Sequence, residues 1–179
     1  MDKPQRKPNR LKNFDYSSNG MYFITICTEN KRHMLCSIVG DGDPTSRLSV
    51  CDNIRTILTP TGEIVNKYIL SVNKIAGVSV DKYVIMPNHI HLIVQVDKPE
   101  YDNDVSRQKG TSGSPSPTNA IIPRTIGVLK RLINKDCGKN IFQRSFHDHI
   151  IRNEYDYEKI WEYIDTNPLK WKEDCFFSD

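Results

Sequence analysis

The stretch VSVDKYVIMPNHIHLIVQV, residues 78–96, decides the fold. It contains two β-like runs, 78–86 and 89–96, on either side of Pro87 and Asn88. That arrangement predicts an antiparallel hairpin. Side chains alternate along a strand, so His89 and His91 share one face. Ile90, Leu92 and Val94 share the other and turn toward a core. Two imidazoles projecting side by side from a rigid strand are what a metal site requires. The plainer reading is that they line a polar sheet surface.

The flanking sequence completes the layout. Upstream, MYFITIC (21–27) is aromatic and β-branched, as a buried strand should be. Residues 40–60 carry Gly40, Gly42, Pro44, Ser46 and Pro60 and read as loop. From Gly62 to Ile75, apolar residues at Ile64, Val65, Tyr68, Ile69, Val72 and Ile75 follow helical spacing. Residues 97–118 are polar, with glycine and proline and no apolar face, and read as a flexible connector. A second helix is expected from Ile121 or Arg124 to Lys135, then a short strand around Phe146–Ile151. The last helix starts near Asn153 or Glu154, with Asn153 as a cap, and ends before Pro168. This order of elements suits an α+β sandwich with helices packed on an antiparallel sheet. The chain divides into a basic N-terminal arm (1–20), one domain (21–171) and a C-terminal tail (172–179).

With 179 residues and 37% hydrophobic content, one compact domain with a real core is expected. A net charge of +3 does not by itself imply nucleic acid. The distribution of charge says more. Lys3, Arg6, Lys7, Arg10 and Lys12 cluster in the arm, and Arg124, Lys130, Arg131 and Lys135 lie on the second helix. Such an arm is either a solvated tail or a grip on phosphates. Five cysteines without a CxxC pair argue against a disulfide framework or a cysteine–zinc site and suit reduced thiols. No apolar run suits a secretory signal or a membrane span, so a cytoplasmic protein is expected.

In the last helix, Tyr157, Ile160, Trp161 and Ile164 follow core spacing. Tyr163 and Asn167, four apart, stack on one face beside that stripe. Of the three tyrosines on this helix, Tyr157 reads as structural and Tyr155 as exposed. Tyr163 sits at the core margin, where a phenol is both supported and reachable.

The blocks YFITICT, YVIMPNHIHLIV, SFHDHIIRNEYDY and WEYIDTNPLKW resemble those of the IS200-type Y1 transposases, which carry a His-hydrophobic-His (HUH) motif. Within that family they resemble the tyrosine transposases associated with repetitive extragenic palindromes. The resemblance runs from about Arg6 to Trp171, apart from the variable loops. It implies a ferredoxin-like sandwich, with His89 and His91 as metal ligands and Tyr163 as nucleophile. Asn167 falls where the family places a third ligand, usually glutamine in IS200-type members and asparagine in the palindrome-associated branch. The implied cofactor is Mg²⁺ or Mn²⁺, although imidazoles in general suit zinc, copper or iron better. The implied substrate is single-stranded DNA bearing a hairpin, cut through a 5′-phosphotyrosine, and the implied setting is the bacterial nucleoid. A homodimer is compatible with this resemblance. Arg6, Lys7, Arg10, Lys12, Lys130 and Arg131 are the candidate phosphate contacts. His147 and His149 read as structural or DNA-contacting, not as ligands. Two other readings stand beside this one. The first is a domesticated hairpin-DNA-binding protein without transposition. The second is a small zinc hydrolase, which would leave Tyr163 without a role.

Overall fold

The computed structural model describes residues 14–40, 54–98 and 120–177. Four strands form the main antiparallel sheet: β1 (Gly20–Cys27), β4 (Val78–Ile85), β5 (His89–Val96) and β6 (His147–Ile151), in the order β4-β5-β1-β6. With α1 (Pro60–Ser71) after β1 and α2 (Ile121–Asp136) after β5, the connectivity is β-α-β-β-α-β with the last strand beside the first. This is the ferredoxin-like arrangement. The third helix, α3 (Glu154–Thr166), follows β6.

The expected hairpin forms β4 and β5, paired from Val78↔Val96 to Ile85↔Ile90 with a register shift between Val80 and Lys82. β5 also pairs with β1 along its whole length, so it is flanked on both sides. Its two faces then serve two layers. Ile90, Leu92 and Val94 join Tyr22, Ile24 and Ile26 in the main core, against Val65 and Ile69 of α1 and Ile122, Ile126, Leu129 and Ile133 of α2. Each such fully buried aliphatic stabilises the fold by roughly 1.5–3 kcal/mol. On the opposite face, Ile93 packs with Ile151 and with Ile164 of α3.

The helix ends follow local chemistry. Pro60 occupies the first turn of α1, and Thr59 caps it, its Oγ1 accepting from the Gly62 amide at 3.0 Å. Asn153 caps α3 through its Oδ1, which accepts from the Asp156 amide at 2.9 Å. α3 ends at Thr166, ahead of Pro168.

Three details differ from the sequence reading. The segment read as loop over 40–60 contains a strand, β3 (Arg55–Leu58), paired with β2 (Cys36–Val39) as a separate ribbon. Both strands are four residues long and leave Val39 and Ile57 exposed, so neither carries a core-facing apolar pattern. The first helix ends at Ser71, and Val72–Lys74 form a 3-10 turn. Trp161 is 40% exposed, not part of the core stripe. It lies under the Lys82 ammonium, 3.4 Å from the ring centroid, a cation–π contact on the rim of the helix.

The basic arm at Lys3–Lys12 lies outside the described residues, as do 99–118 of the expected connector. The four described cysteines, Cys27, Cys36, Cys137 and Cys175, are free thiols. No described helix is long and apolar enough to cross a membrane.

Gly62 lies in the first turn of α1, close against the backbone of Leu35. A Cβ there would stand 1.9 Å from the Leu35 carbonyl oxygen, a backbone atom that cannot swing aside. Gly62→Ala should therefore lower stability by at least about 2 kcal/mol in urea unfolding. A loss below about 0.5 kcal/mol would show that the helix start is not held so close.

Candidate active site and metal centre

Register brings polar groups together at one end of the sheet. Thr25 lies opposite His91, and Cys27 opposite His89, across β1 and β5. The His89 and His91 Nε2 atoms are 2.9 Å apart, and both residues are at most 1% exposed. Each Nδ1 has its own partner. His91 Nδ1 lies 2.9 Å from Thr25 Oγ1. His89 Nδ1 lies 2.8 Å from Asn88 Oδ1. The Asn88 amide donates its Nδ2 to the Phe176 carbonyl at 2.9 Å, so its oxygen faces His89 as an acceptor. His89 must then carry its proton on Nδ1, which leaves the Nε2 lone pair facing His91. This is the tautomer a metal ligand needs, fixed by a neighbouring amide.

α3 supplies the second half of the site. Tyr163 and Asn167 lie one turn apart, as their spacing predicts, with Asn167 as the helix C-cap. The Tyr163 hydroxyl is 3.2 Å from His91 Nε2 and donates to Asp174 Oδ2 at 2.8 Å. Asn167 Nδ2 donates to the same carboxylate oxygen at 2.7 Å. Tyr163 is 37% exposed and Asn167 only 2%. A cleft of about 320 Å³, bordered by Tyr163, Asn167 and Asp174, opens beside them. The other two tyrosines behave as expected. Tyr155 is 65% exposed, and the Tyr157 hydroxyl donates to Asp81 at 2.7 Å.

Sequence reasoning missed Asp174. The segment set apart as a C-terminal tail returns over the site. Asp174 Oδ2 lies 4.0 Å from each imidazole Nε2, and its side chain is 1% exposed. His89, His91 and Asp174 together offer three ligand atoms within 4.8 Å of one another. Phe176 packs 4.8 Å from the His89 ring, and Trp171 5.8 Å from it. Nothing local marks Asp174, because it follows the end of α3 and reaches the histidines only through the turn at 167–173. Thr25, a polar residue in an otherwise apolar strand, and Asn88, in the hairpin turn beside His89, were more legible.

The electrostatics are consistent. Burial holds both imidazoles below the ordinary histidine range, His91 further held down by its neighbour His89. Burial alone would raise the Asp174 carboxyl. The Phe176 amide, Asn167 and Tyr163 outweigh it and hold the group ionised, below its ordinary range. Tyr163 is pushed above the ordinary phenol value, by burial first and by the Asp174 carboxylate second. The resting arrangement is thus neutral imidazoles, a carboxylate and a protonated phenol.

These donors fit a divalent cation. Two imidazole nitrogens converge on one spot with a carboxylate beside them. The buried Asn167 Oδ1 has no hydrogen-bond partner, an unusual condition for a buried amide oxygen. A cation would satisfy these groups together.

The other sequence candidates fall elsewhere or outside view. Arg6, Lys7, Arg10 and Lys12 lie outside the described residues. Arg131 is exposed on α2. Lys130 turns inward, its ammonium donating to the carbonyls of Gln143, Arg144 (3.3 Å) and Ser145 (3.1 Å). Burial lowers its pKa to about 8. His147 and His149 sit exposed on the edge strand β6, with His149 Nε2 2.8 Å from Asp156.

No family model matches the chain. An uncharacterised protein of Haemophilus influenzae is 30% identical over 190 residues, spanning 97% of this chain and 94% of that protein. The REP-associated tyrosine transposase of Escherichia coli K12 is 26% identical over 156 residues, spanning 87% of this chain and 70% of that protein. Among solved structures, a REP-associated tyrosine transposase bound to a REP hairpin superposes with a TM-score of 0.55 at 23% identity, over 93% of this chain and 74% of that one. The four-stranded antiparallel sheet with its three helices is similar to the fold of that transposase. The chain belongs to one family with the Haemophilus influenzae protein, and the likeness to the REP-associated tyrosine transposases supports an IS200/Y1 transposase-like family.

Two outcomes follow from the geometry. Asn88→Ala removes the acceptor that orients His89, so Mn²⁺ affinity measured by titration calorimetry should fall about 10- to 100-fold. Unchanged affinity would remove Asn88 from the site. Lys130→Met leaves three carbonyls without their shared donor and should cost about 1–3 kcal/mol in chemical unfolding. An unaltered unfolding midpoint would instead leave Lys130 available for phosphates.

Proposed function

We propose that this protein nicks and rejoins single-stranded DNA beside a hairpin, through a covalent 5′-phosphotyrosine on Tyr163. The observation that carries the reading is the Tyr163 hydroxyl, 3.2 Å from the convergent imidazole pair on a partly open helix face. The resemblance to the hairpin-bound REP-associated transposase supports the choice of DNA. The working compartment would be the bacterial cytoplasm, with the nucleoid as target.

His89 and His91, with Asn167 and Asp174 beside them, would hold Mg²⁺ or Mn²⁺. Bound there, the cation would polarise a phosphate oxygen and supply the positive charge that favours a phenolate. The protein's own groups do the rest. Asn88 and Thr25 keep the imidazoles oriented. The phenol needs such help, because burial and the Asp174 carboxylate both favour its protonated form. Its hydroxyl proton already points at Asp174 Oδ2, so that carboxylate is placed to receive it. In the chemical step the Tyr163 oxygen bonds to phosphorus and the bond from phosphorus to the 3′-oxygen breaks. The departing oxygen takes up a proton and becomes a free 3′-hydroxyl. Attack by a 3′-hydroxyl on the phosphotyrosine reverses the step without ATP, because the phosphodiester energy is retained in the covalent link.

One observation favours the alternative, a hairpin-binding protein without transposition. Trp171, Asp174 and Phe176 lie over the histidines. The same assay separates the two readings. With Mn²⁺ and single-stranded DNA from the flanks of its own gene, wild type should form an adduct that survives denaturation. Tyr163→Phe should bind the DNA with wild-type affinity and form no adduct. Tyr155→Phe and Tyr157→Phe should retain it, and His89→Ala should lose it. An adduct mapped by peptide sequencing to Tyr155 or Tyr157 would refute the assignment, and no adduct in wild type would favour the binding protein.

A further inference from the structure

Away from the histidines, α2 and the chain that follows it border an open cleft of about 960 Å³. Five of its lining residues are basic and one, Glu29, is acidic. Arg131, Lys135, Lys139 and Arg144 are all exposed, and none forms a salt bridge among the described residues. Unpaired cations gathered around a concavity repel one another, so the arrangement calls for a polyanion.

The frame under these charges is stitched. Gly138 takes a positive φ of 66° to turn the chain off α2. Asn134 then ties the turn back, its Oδ1 accepting from the Ile141 amide at 3.0 Å and its Nδ2 donating to Asn140 at 3.2 Å. Lys130 neutralises the three carbonyls that would otherwise face an incoming anion. Its own charge is used inside the frame, which leaves the outer four to a ligand. The frame continues into the active site. The Gln143 amide donates to the Cys27 carbonyl at 2.9 Å, and Cys27 pairs with His89.

We infer that this cleft is the anchor for the sugar–phosphate backbone of the duplex stem of the DNA on which Tyr163 acts. The inference rests on the DNA reading above and adds the place and mode of stem binding. Single strands are held on aromatic platforms, and the sole aromatic residue here, Phe142, is 6% exposed. Guanidinium and ammonium groups with exposed amides instead suit a duplex backbone, gripped without regard to base sequence.

The test uses the full-length protein and fluorescent DNA in three forms: a hairpin with a single-stranded flank, a second hairpin of unrelated stem sequence, and the flank alone. Affinities are measured over a series of potassium chloride concentrations. The variant R131Q/K135Q/K139Q/R144Q should bind both hairpins at least about tenfold more weakly at low salt. The slope of log affinity against log salt should shrink by roughly three to four, about 0.9 per lost phosphate contact. Affinity for the flank alone should stay at the wild-type level. Lys74→Gln, which lines a different cleft, should change none of these values. All four substituted side chains are exposed, so the thermal midpoint should hold. A second variant, R131Q/K139Q, should give about half the slope change if the first proves unstable. Wild-type hairpin binding with an unchanged salt slope in the variants would overturn this inference alone. Wild type that binds no DNA at low salt would overturn both it and the DNA reading. Tighter binding of an RNA hairpin of the same sequence would overturn the assignment to DNA.

Discussion

His89 and His91 leave β5 on the same side, with their Nε2 atoms 2.9 Å apart and almost no exposure to solvent. Burying two imidazoles in this way is costly unless each nitrogen has a partner. The surrounding structure is organised to provide them. Thr25 answers His91, Asn88 answers His89, and the two Nε2 atoms face each other. Strand alternation makes this affordable to the fold. The residues that alternate with the histidines, Ile90 and Leu92, are buried in the main core and anchor β5 between β1 and β4. The site therefore inherits the rigidity of the most enclosed of the described strands.

Rigidity on the strand side contrasts with the composition of the helix side. Tyr163 stands at the edge of α3, supported by an edge-on contact with Phe23 and yet partly open to solvent. Its hydroxyl meets Asp174, whose carboxylate also receives Asn167 and the Phe176 amide. One acidic side chain thus links the helix, the imidazoles and the returning chain. Burial first and that carboxylate second keep the phenol protonated, while burial keeps the imidazoles neutral. A cation would invert that balance, because it attracts the carboxylate and favours the phenolate together.

Much of this was written locally. The PNHIHLIV block contains its own geometry, since a period of two places the histidines on one face whatever the rest of the chain does. Tyr163 and Asn167 are related by one helical turn, and Asn153 and Pro168 bound that helix. The sheet and its two covering helices follow from apolar spacing, and the family resemblance of the blocks agrees with them. Local pattern was misleading at Trp161, where helical spacing suggested the core but the nearest cation is Lys82. It was silent at β2 and β3, whose four-residue strands pair with each other and bury no continuous face.

By itself, then, the sequence determined the strand and helix types, the shared face of the two histidines and the tyrosine worth examining, because each depends on the repeat of a single element. Tertiary structure decided the rest. It turned Lys130 inward to three carbonyls, left Arg131, Lys135, Lys139 and Arg144 around one cleft, and carried Asp174 from beyond the last helix to within 4.0 Å of both imidazoles. Those outcomes depend on how separate elements pack and where the chain turns back, and no periodicity along one element records a contact with another.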